Sequence, residues 1–113
     1  MTERIAYKVM TATEFARMQR EQVFHGSSVD RADGFIHLST AAQLTETVDK
    51  HFREHTDLVV IAINLLRLGD AVRWEPSRGG ALFPHIYGVL PMTAVVAAGP
   101  LERAADGSVQ LPG

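Results

Sequence analysis

The alternation of apolar and polar positions predicts most of the strands in this chain. Ile5, Tyr7 and Val9 alternate with smaller or charged residues, which predicts a half-buried first strand. Residues 58–63 are apolar without a break, which is typical of a strand covered on both faces. Pro84 has no backbone N–H, so we expect its segment at a sheet edge or a strand start. Other extended segments are predicted at residues 35–38, 71–75, 83–87 and 93–98.

Two helices are predicted from capping residues that precede periodic apolar positions. Thr11 and Glu14 have capping-box spacing, and the helix that follows would turn Phe15 and Met18 toward the core. Thr40 and Gln43 repeat this spacing before a second helix. The apolar stripe of that helix recurs every four residues, at Leu44, Val48 and Phe52.

The remaining segments predict turns, a loop and a tail around these elements. Residues 26–33 are polar and rich in turn formers, which predicts a loop, and a short helical turn is expected at residues 65–68. Residues 104–113 are expected to form a loose tail. Because the helices come early and most strands late, the pattern predicts one α+β domain over residues 1–113.

Composition excludes several classes of function. The chain has 113 residues, a formal net charge of −2 and no cysteine. Thiolate catalysis, disulfides and thiolate metal sites are therefore excluded, and the charge predicts no general attraction to nucleic acid. No apolar run approaches the roughly 20 residues that a membrane helix needs, so we expect no membrane association and a cytoplasmic protein.

Asp33, His37 and Ser39 form the first polar cluster that could carry chemistry. His37 and Ser39 lie two residues apart on a predicted strand, so they point to the same face as Phe35. A mixed surface of this kind is typical of a pocket wall. The alternative is that His37 bonds a backbone carbonyl and Ser39 only caps the next helix.

Two later clusters combine aromatic rings with charged or titratable groups. Trp74 beside Glu75 could supply a stacking face and a charge acceptor to a ligand. The alternative is a core tryptophan with a solvated neighbour. His85, Tyr87 and Phe83 share one face of their strand. Two aromatics beside a histidine could hold a planar ring, whereas the alternative is a packed edge strand.

A spacing known from zinc proteases occurs where the second helix is expected to end. His51, Glu54 and His55 match H-x-x-E-H, in which two histidines hold one metal beside a glutamate base. No later long helix is evident to supply a third ligand, and histidines at a helix C-terminus also suit the helix dipole. We therefore expect no metal site and keep a zinc hydrolase only as a third alternative.

Three motifs in order resemble a bacterial family known as domain of unknown function 952. They are D-G-F-I-H-L-S at residues 33–39, W-E-P-S at residues 74–77 and F-P-H-I-Y-G at residues 83–88. The resemblance runs from residue 5 to residue 101. This family is grouped by fold with the ADP-ribosyltransferases, which implies a split, antiparallel-rich sheet with two main helices packed on it.

A more distant resemblance is to the RNA 2′-phosphotransferases, which use NAD. Residues 36–39 are similar to their H-V-H-L-S motif, and a helix separates that motif from an earlier histidine. Lys8 takes the place of this earlier histidine, because Lys8 precedes the helix in this chain. His25 lies in a similar H-G-S turn but follows the helix, so we expect it in a surface loop outside the site.

These resemblances imply a cleft for NAD or another nucleotide of the ADP-ribose type. Cofactor contacts are then expected from Lys8, His37, Ser39, Trp74 and Tyr87. Glu75 and His85 would supply acid–base or cation-stabilising groups. Arg78, like Lys8, would neutralise phosphate. We expect six residues to converge on one cleft: His37, Ser39, Trp74, Glu75, His85 and Tyr87.

One departure from the ADP-ribosyltransferase pattern keeps a second function open. Residues 83–87 contain no glutamate, whereas transferases of the histidine-tyrosine-glutamate type place there the carboxylate that stabilises the ribose cation. Glu75 is the nearest substitute and is predicted to lie on another strand. The alternative is a non-catalytic domain that binds another small molecule or a protein partner.

Overall fold

The computed structural model describes residues 4–112, apart from the side chain of Arg78. Three helices are present in this part of the chain: α1 (Ala12–Glu21), α2 (Ser28–Asp33) and α3 (Ala41–His51). Its strands are β1 (Ile5–Thr11), β2 (Val23–Phe24), β3 (Ile36–His37), β4 (Leu58–Asn64), β5 (Val72–Pro76), β6 (Leu82–Ile86), β7 (Leu90–Pro91) and β8 (Val95–Pro100). None of these helices is long and apolar enough to cross a membrane.

The strands form three antiparallel sheets, and the predicted α+β class is confirmed. The first sheet has the order β1-β4-β8, the second pairs β2 with β7, and the third has the order β3-β6-β5. Tyr7 N–H donates to Ser39 O at 2.7 Å, and Ser39 N–H donates to Tyr7 O at 2.9 Å. This bridge joins β1 to the end of β3 and brings Lys8 beside His37.

Both faces of the first sheet are covered by apolar clusters. Alternate β4 residues enter different clusters, with Ile61 and Ile63 on one face and Val60 and Ala62 on the other. The prediction that β4 is buried on both faces is therefore confirmed. The prediction that β1 is half-buried is wrong, because α3 covers its second face and Lys8 is buried as well.

The two predicted helices begin at their predicted caps, and a third helix was not predicted. Thr11 with Glu14 and Thr40 with Gln43 both form complete capping boxes. The expected loop at residues 26–33 contains α2, which starts with a capping box between Ser27 and Asp30. Asp30 is the buried residue of α2, so a polar contact rather than an apolar stripe holds this helix in place.

Two further expectations are corrected by long-range contacts. Pro84 lies in the central strand of the third sheet, where Leu38 N–H donates to Pro84 O at 3.0 Å beyond the end of β3. The missing proline N–H is tolerated there because β3 is only two residues long. The predicted loose tail is ordered through residue 112, since Val109 is buried and its N–H donates to Thr45 Oγ1 at 2.9 Å.

Candidate functional site

Strand register places two histidines side by side on the face of the third sheet that is turned away from the main core. His37 on β3 pairs with His85 on β6, and their ring centroids are 5.4 Å apart. Side chains alternate along each strand, so Ile36 and Ile86 point to the opposite face and enter the core. The predicted common face for His37 and His85 is what the structure shows.

Asp30 connects β1, α2 and β3 beneath the first histidine. Its Oδ1 accepts a hydrogen bond from Lys8 Nζ at 3.1 Å, and its Oδ2 lies 2.9 Å from the same nitrogen in an ion pair. It also accepts from the backbone N–H groups of His37 and Ser27 at 3.1 and 2.9 Å. Lys8 Nζ donates in addition to His37 O at 2.9 Å. Because every partner is fixed by backbone or by burial, this network positions β3 against β1.

The charges in this network are shifted by burial and by their partners. Burial acts to raise the pKa of Asp30, but the hydrogen bond from His37, the charge of Lys8 and the Ser27 N–H outweigh it and hold that pKa well below its usual range. Burial lowers the pKa of Lys8, and the charge of Asp30 opposes that shift only in part. Asp30 is therefore the stable anion of the site.

Carboxylates from one face of α2 lie beside both ring nitrogens of His37. His37 Nδ1 lies 2.7 Å from Asp30 Oδ1, and Nε2 lies 2.9 Å from Asp33 Oδ2. Residues three apart on a helix are neighbours, so Asp30 and Asp33 reach the same ring. The contact with Asp30 is a hydrogen bond, whereas the contact with Asp33 is a close approach of an ion-pair type. The ring is thus anchored through Nδ1 and has a carboxylate beside each nitrogen.

His85 belongs to a separate network built from neighbouring strands. Its Nδ1 lies 2.7 Å from Glu75 Oε1, and the Tyr87 hydroxyl donates to both Glu75 oxygens at 2.8 and 3.1 Å. Hydrogen bonds from His85 and then from Tyr87 lower the pKa of Glu75, while the same carboxylate raises the pKa of Tyr87. Because Glu75 engages Nδ1, Nε2 is the ring nitrogen of His85 that remains for a contact with another group.

Phe35 separates the two histidine networks. Its ring stacks on His85 with centroids 4.1 Å apart and contacts His37 at 4.6 Å and Tyr87 at 5.3 Å. The guanidinium carbon of Arg73 lies over the Tyr87 ring, 4.6 Å from its centroid. These contacts hold both imidazoles in defined orientations, which a binding or catalytic site requires.

A cleft of about 580 Å³ lies against these networks. Its walls include side chains from β1, α2, β3, α3 and β6, among them Lys8, Asp33, His37, Ser39, Thr47, Phe52, Phe83 and His85. This volume falls within the range of about 300–1,000 Å³ that is usual for small-molecule sites. The mixture of hydroxyl, carboxylate, imidazole and aromatic groups suits a ligand with both a ring and polar substituents.

The structure brings most, but not all, of the predicted site residues to this cleft. Lys8, His37, Ser39 and His85 line it, and Ser39 Oγ lies 2.9 Å from Thr47 Oγ1 on α3. Glu75 and Tyr87 do not line the cleft, but Glu75 bonds His85, and Tyr87 bonds Glu75. Trp74 does not join them, because it follows the alternation of β5 to the opposite face and packs against the core.

The two weaker histidine motifs also have defined positions. His25 is exposed in the segment after β2 and lines a different cavity, of about 330 Å³, as the chain-order argument predicted. His51 and His55 lie at the rim of the main cleft, but α3 ends at His51, so the two are not successive turns of one helix. Among residues 4–112, no group of three or more histidine, aspartate or glutamate side chains is arranged to hold a metal ion.

Sequence reasoning missed Asp30 as the centre of the first network. The spacing Ser27-x-x-Asp30 is a capping-box spacing and could have marked the start of α2. The partner Lys8 lies 22 residues away along the chain, so no local pattern connects the two. A lysine within an otherwise apolar strand is the other available signal, since a buried lysine requires a counter-charge.

Comparisons with known proteins agree on one family. A family model described as "Protein of unknown function (DUF952)" matches residues 9–98. Protein CC0527 from Caulobacter crescentus, a structural genomics target, is 42% identical in its crystal structure, with a TM-score of 0.85 over 94% of this chain and 93% of that chain.

Its solution NMR structure gives 41% identity and a TM-score of 0.79 over 95% of this chain and 91% of that chain. No curated protein matches the sequence. The family match covers most of the chain and agrees with the motifs around His37, Glu75 and His85. The chain therefore belongs to the DUF952 family.

Proposed function

We propose that the cleft binds a small ligand containing ribose, with NAD and ADP-ribose as reference ligands, and that His85 is its acid–base group. One observation carries this proposal. The His85 side chain is only 5% exposed, Glu75 engages its Nδ1 at 2.7 Å, and the ring lines the cleft. A carboxylate on Nδ1 fixes the tautomer of the neutral imidazole, so that Nε2 is the nitrogen that exchanges a proton.

The composition of the cleft favours a ligand with hydroxyl groups and a planar ring. Ser39, Thr47 and Asp33 supply oxygen atoms, whereas Phe52 and Phe83 supply aromatic surface. Ribose linked to a base presents this combination of groups. The likeness of residues 36–39 to a motif of NAD-using enzymes points to the same class of ligand.

The contacts redistribute the roles first expected for individual residues. Lys8 is paired with Asp30, so in this proposal it acts on the ligand through Asp30 and His37 rather than by neutralising phosphate. Tyr87 orients Glu75 instead of stacking on the cofactor. Trp74 contributes to the core beneath the sheet.

The chemistry that suits His85 is transfer of an ADP-ribosyl group from NAD. The bond between the ribose C1′ and the nicotinamide nitrogen breaks, and its electron pair leaves with neutral nicotinamide. A new bond forms between C1′ and an oxygen of the acceptor. His85 Nε2 takes the proton that this acceptor hydroxyl loses, and Glu75 stabilises the resulting imidazolium.

A binding domain without catalysis is the second candidate. Glu75 is the only carboxylate that the described residues place against His85, and it already bonds both His85 and Tyr87. A glutamate engaged in this way is less available to stabilise a ribose cation directly. This candidate predicts binding without turnover.

Calorimetric titration with NAD and ADP-ribose, combined with an assay of nicotinamide release, tests the proposal. The parent protein is compared with His85→Gln, which keeps a polar side chain of similar reach, and with His25→Ala as the matched control outside the cleft. We expect binding to the parent and the control, and loss of nicotinamide release in His85→Gln. Binding without release supports the second candidate, and absence of binding by either ligand rejects the proposed ligand class.

A further inference from the structure

We infer that Asp33 holds the hydroxyl groups of the ligand, a role that rests on the proposed function. Four side chains that line the cleft form a continuous polar chain of increasing exposure from Asp30 outward: Lys8, Asp30, His37 and Asp33. Their side chains are exposed by 9%, 2%, 33% and 48%, respectively. Asp33 is thus the member of the chain that a ligand in the cleft meets first.

The geometry of Asp33 leaves one oxygen for a ligand. Oδ2 lies 2.9 Å from His37 Nε2, whereas no described residue donates to Oδ1. Asp33 is the last residue of α2, and Gly34 ends the helix in a left-handed conformation with φ of 89°. One oxygen of the carboxylate therefore contacts the ring, and the residue lines the cleft.

The contacts along this chain leave Asp33 suited to hydroxyl donors. Lys8 lies against Asp30, and the His37 ring lies between Asp30 and Asp33. Only one oxygen of Asp33 is in contact with the ring. A carboxylate in this state still accepts strong hydrogen bonds, and the adjacent hydroxyls of a ribose can supply two donors.

His85 lines the same cleft as Asp33. The residue is 4% exposed, and Glu75 engages its Nδ1 at 2.7 Å. A ligand that fills the cleft can therefore contact both residues. Asp33 and His85 then supply an acceptor and a proton-exchanging group to one ligand.

The inference is tested by removing the carboxylate and the hydroxyls separately. NAD and NAD analogues that lack the hydroxyls of one ribose or the other are titrated calorimetrically into the parent, Asp33→Ala and Asp33→Asn. Asp70→Ala, an exposed aspartate outside the cleft, is the matched control. Thermal unfolding of each variant shows whether the fold is retained, which the half-exposed position of Asp33 leads us to expect.

We expect Asp33→Ala to weaken NAD binding by about ten- to a hundredfold, the usual cost of losing hydrogen bonds to a charged group. An analogue that lacks the contacted hydroxyls should bind the parent and Asp33→Ala equally. Equal NAD affinity of parent and variant would overturn the role of Asp33 and leave the proposed function standing. Equal weakening of NAD and all analogues would also overturn it, because Asp33 would then act through the fold. Failure of the parent to bind NAD rejects both proposals.

Discussion

The two histidines of the cleft are neighbours but have different surroundings. His37 has a carboxylate of one helix beside each ring nitrogen, namely Asp30, which also pairs with the buried Lys8, and Asp33. His85 is held at one nitrogen by Glu75, which comes from a neighbouring strand and connects to an exposed tyrosine. The first network extends into the core, whereas the second extends toward solvent.

This difference indicates which histidine can take part in proton exchange with a ligand. The His37 ring is a fixed part of the framework, because releasing its Nδ1 leaves the buried Asp30 carboxylate without one of its donors. A ring oriented through Nδ1 keeps Nε2 for proton exchange. In the proposed function, the first network therefore positions the site, and the second supplies the reactive group.

The largest expected effect comes from removing the centre of the first network. Asp30→Ala leaves Lys8 buried without its counter-charge, and breaking a buried ion pair in this way costs about 3–5 kcal/mol of unfolding free energy. Denaturation by urea measures this loss, and Asp33→Ala, at the exposed end of the same chain, is the control with an expected change below about 1 kcal/mol. Similar stabilities of the two variants would show that the buried pair does not hold the fold.

A smaller loss is expected when His37 is replaced. His37→Ala removes the ring donor from Asp30, while Lys8 and two backbone N–H groups remain. We expect a decrease of about 1–3 kcal/mol in unfolding free energy, the usual cost of an unmade buried hydrogen bond. His25→Ala should stay within about 0.5 kcal/mol of the parent. A neutral effect of His37→Ala would contradict a positioning role.

The pH dependence of stability tests the contribution of Asp30 to the first network. The folded-state pKa of Asp30 lies below the value of about 3.9 for an unfolded aspartate. Its contribution is thus fully present above about pH 4 and is lost as pH falls through the folded-state pKa. The free energy of unfolding, measured between pH 2 and pH 7, should decrease as the solution becomes acid. Asp30 should contribute up to about 1.4 kcal/mol per pH unit to this decrease, so the decrease should be less steep in Asp30→Asn. Equal slopes would show that another carboxylate controls acid stability.

The smallest effect is expected at the exposed end of the second network. Tyr87→Phe removes the hydroxyl that donates to Glu75, so the pKa of Glu75 should rise toward its ordinary value while the midpoint of thermal unfolding changes little. Carboxyl resonances followed by NMR during a pH titration measure this pKa. An unchanged Glu75 titration would show that Tyr87 does not orient the pair in solution.

Local signals in the sequence account for the parts of the structure that were predicted. Thr11 with Glu14 and Thr40 with Gln43 mark both longer helices, because a capping box is formed by residues only three apart. Alternation along β3 and β6 placed His37 and His85 on one face. These features depend on near neighbours, so the sequence pattern contains them.

The parts that were not predicted depend on contacts between distant segments. The burial of Lys8 requires Asp30, and the order of the tail requires the bond between Val109 and Thr45, 64 residues apart. The short helix α2 contains one buried residue, which is polar, so hydrophobic periodicity could not reveal it. Trp74 was assigned to the cleft for its residue type, although alternation with Glu75 places it on the core face.

The most direct test of the difference between the two histidines follows their ring nitrogens by NMR while NAD is added. The chain has five histidines, so single variants can assign each ring. We predict that the Nε2 resonance of His85 shifts most on binding, that His37 keeps its Nδ1 hydrogen bond to Asp30, and that His25 does not move. A shift at His25 with His85 unchanged, or loss of the His37–Asp30 hydrogen bond on binding, would contradict the division of roles between the two networks.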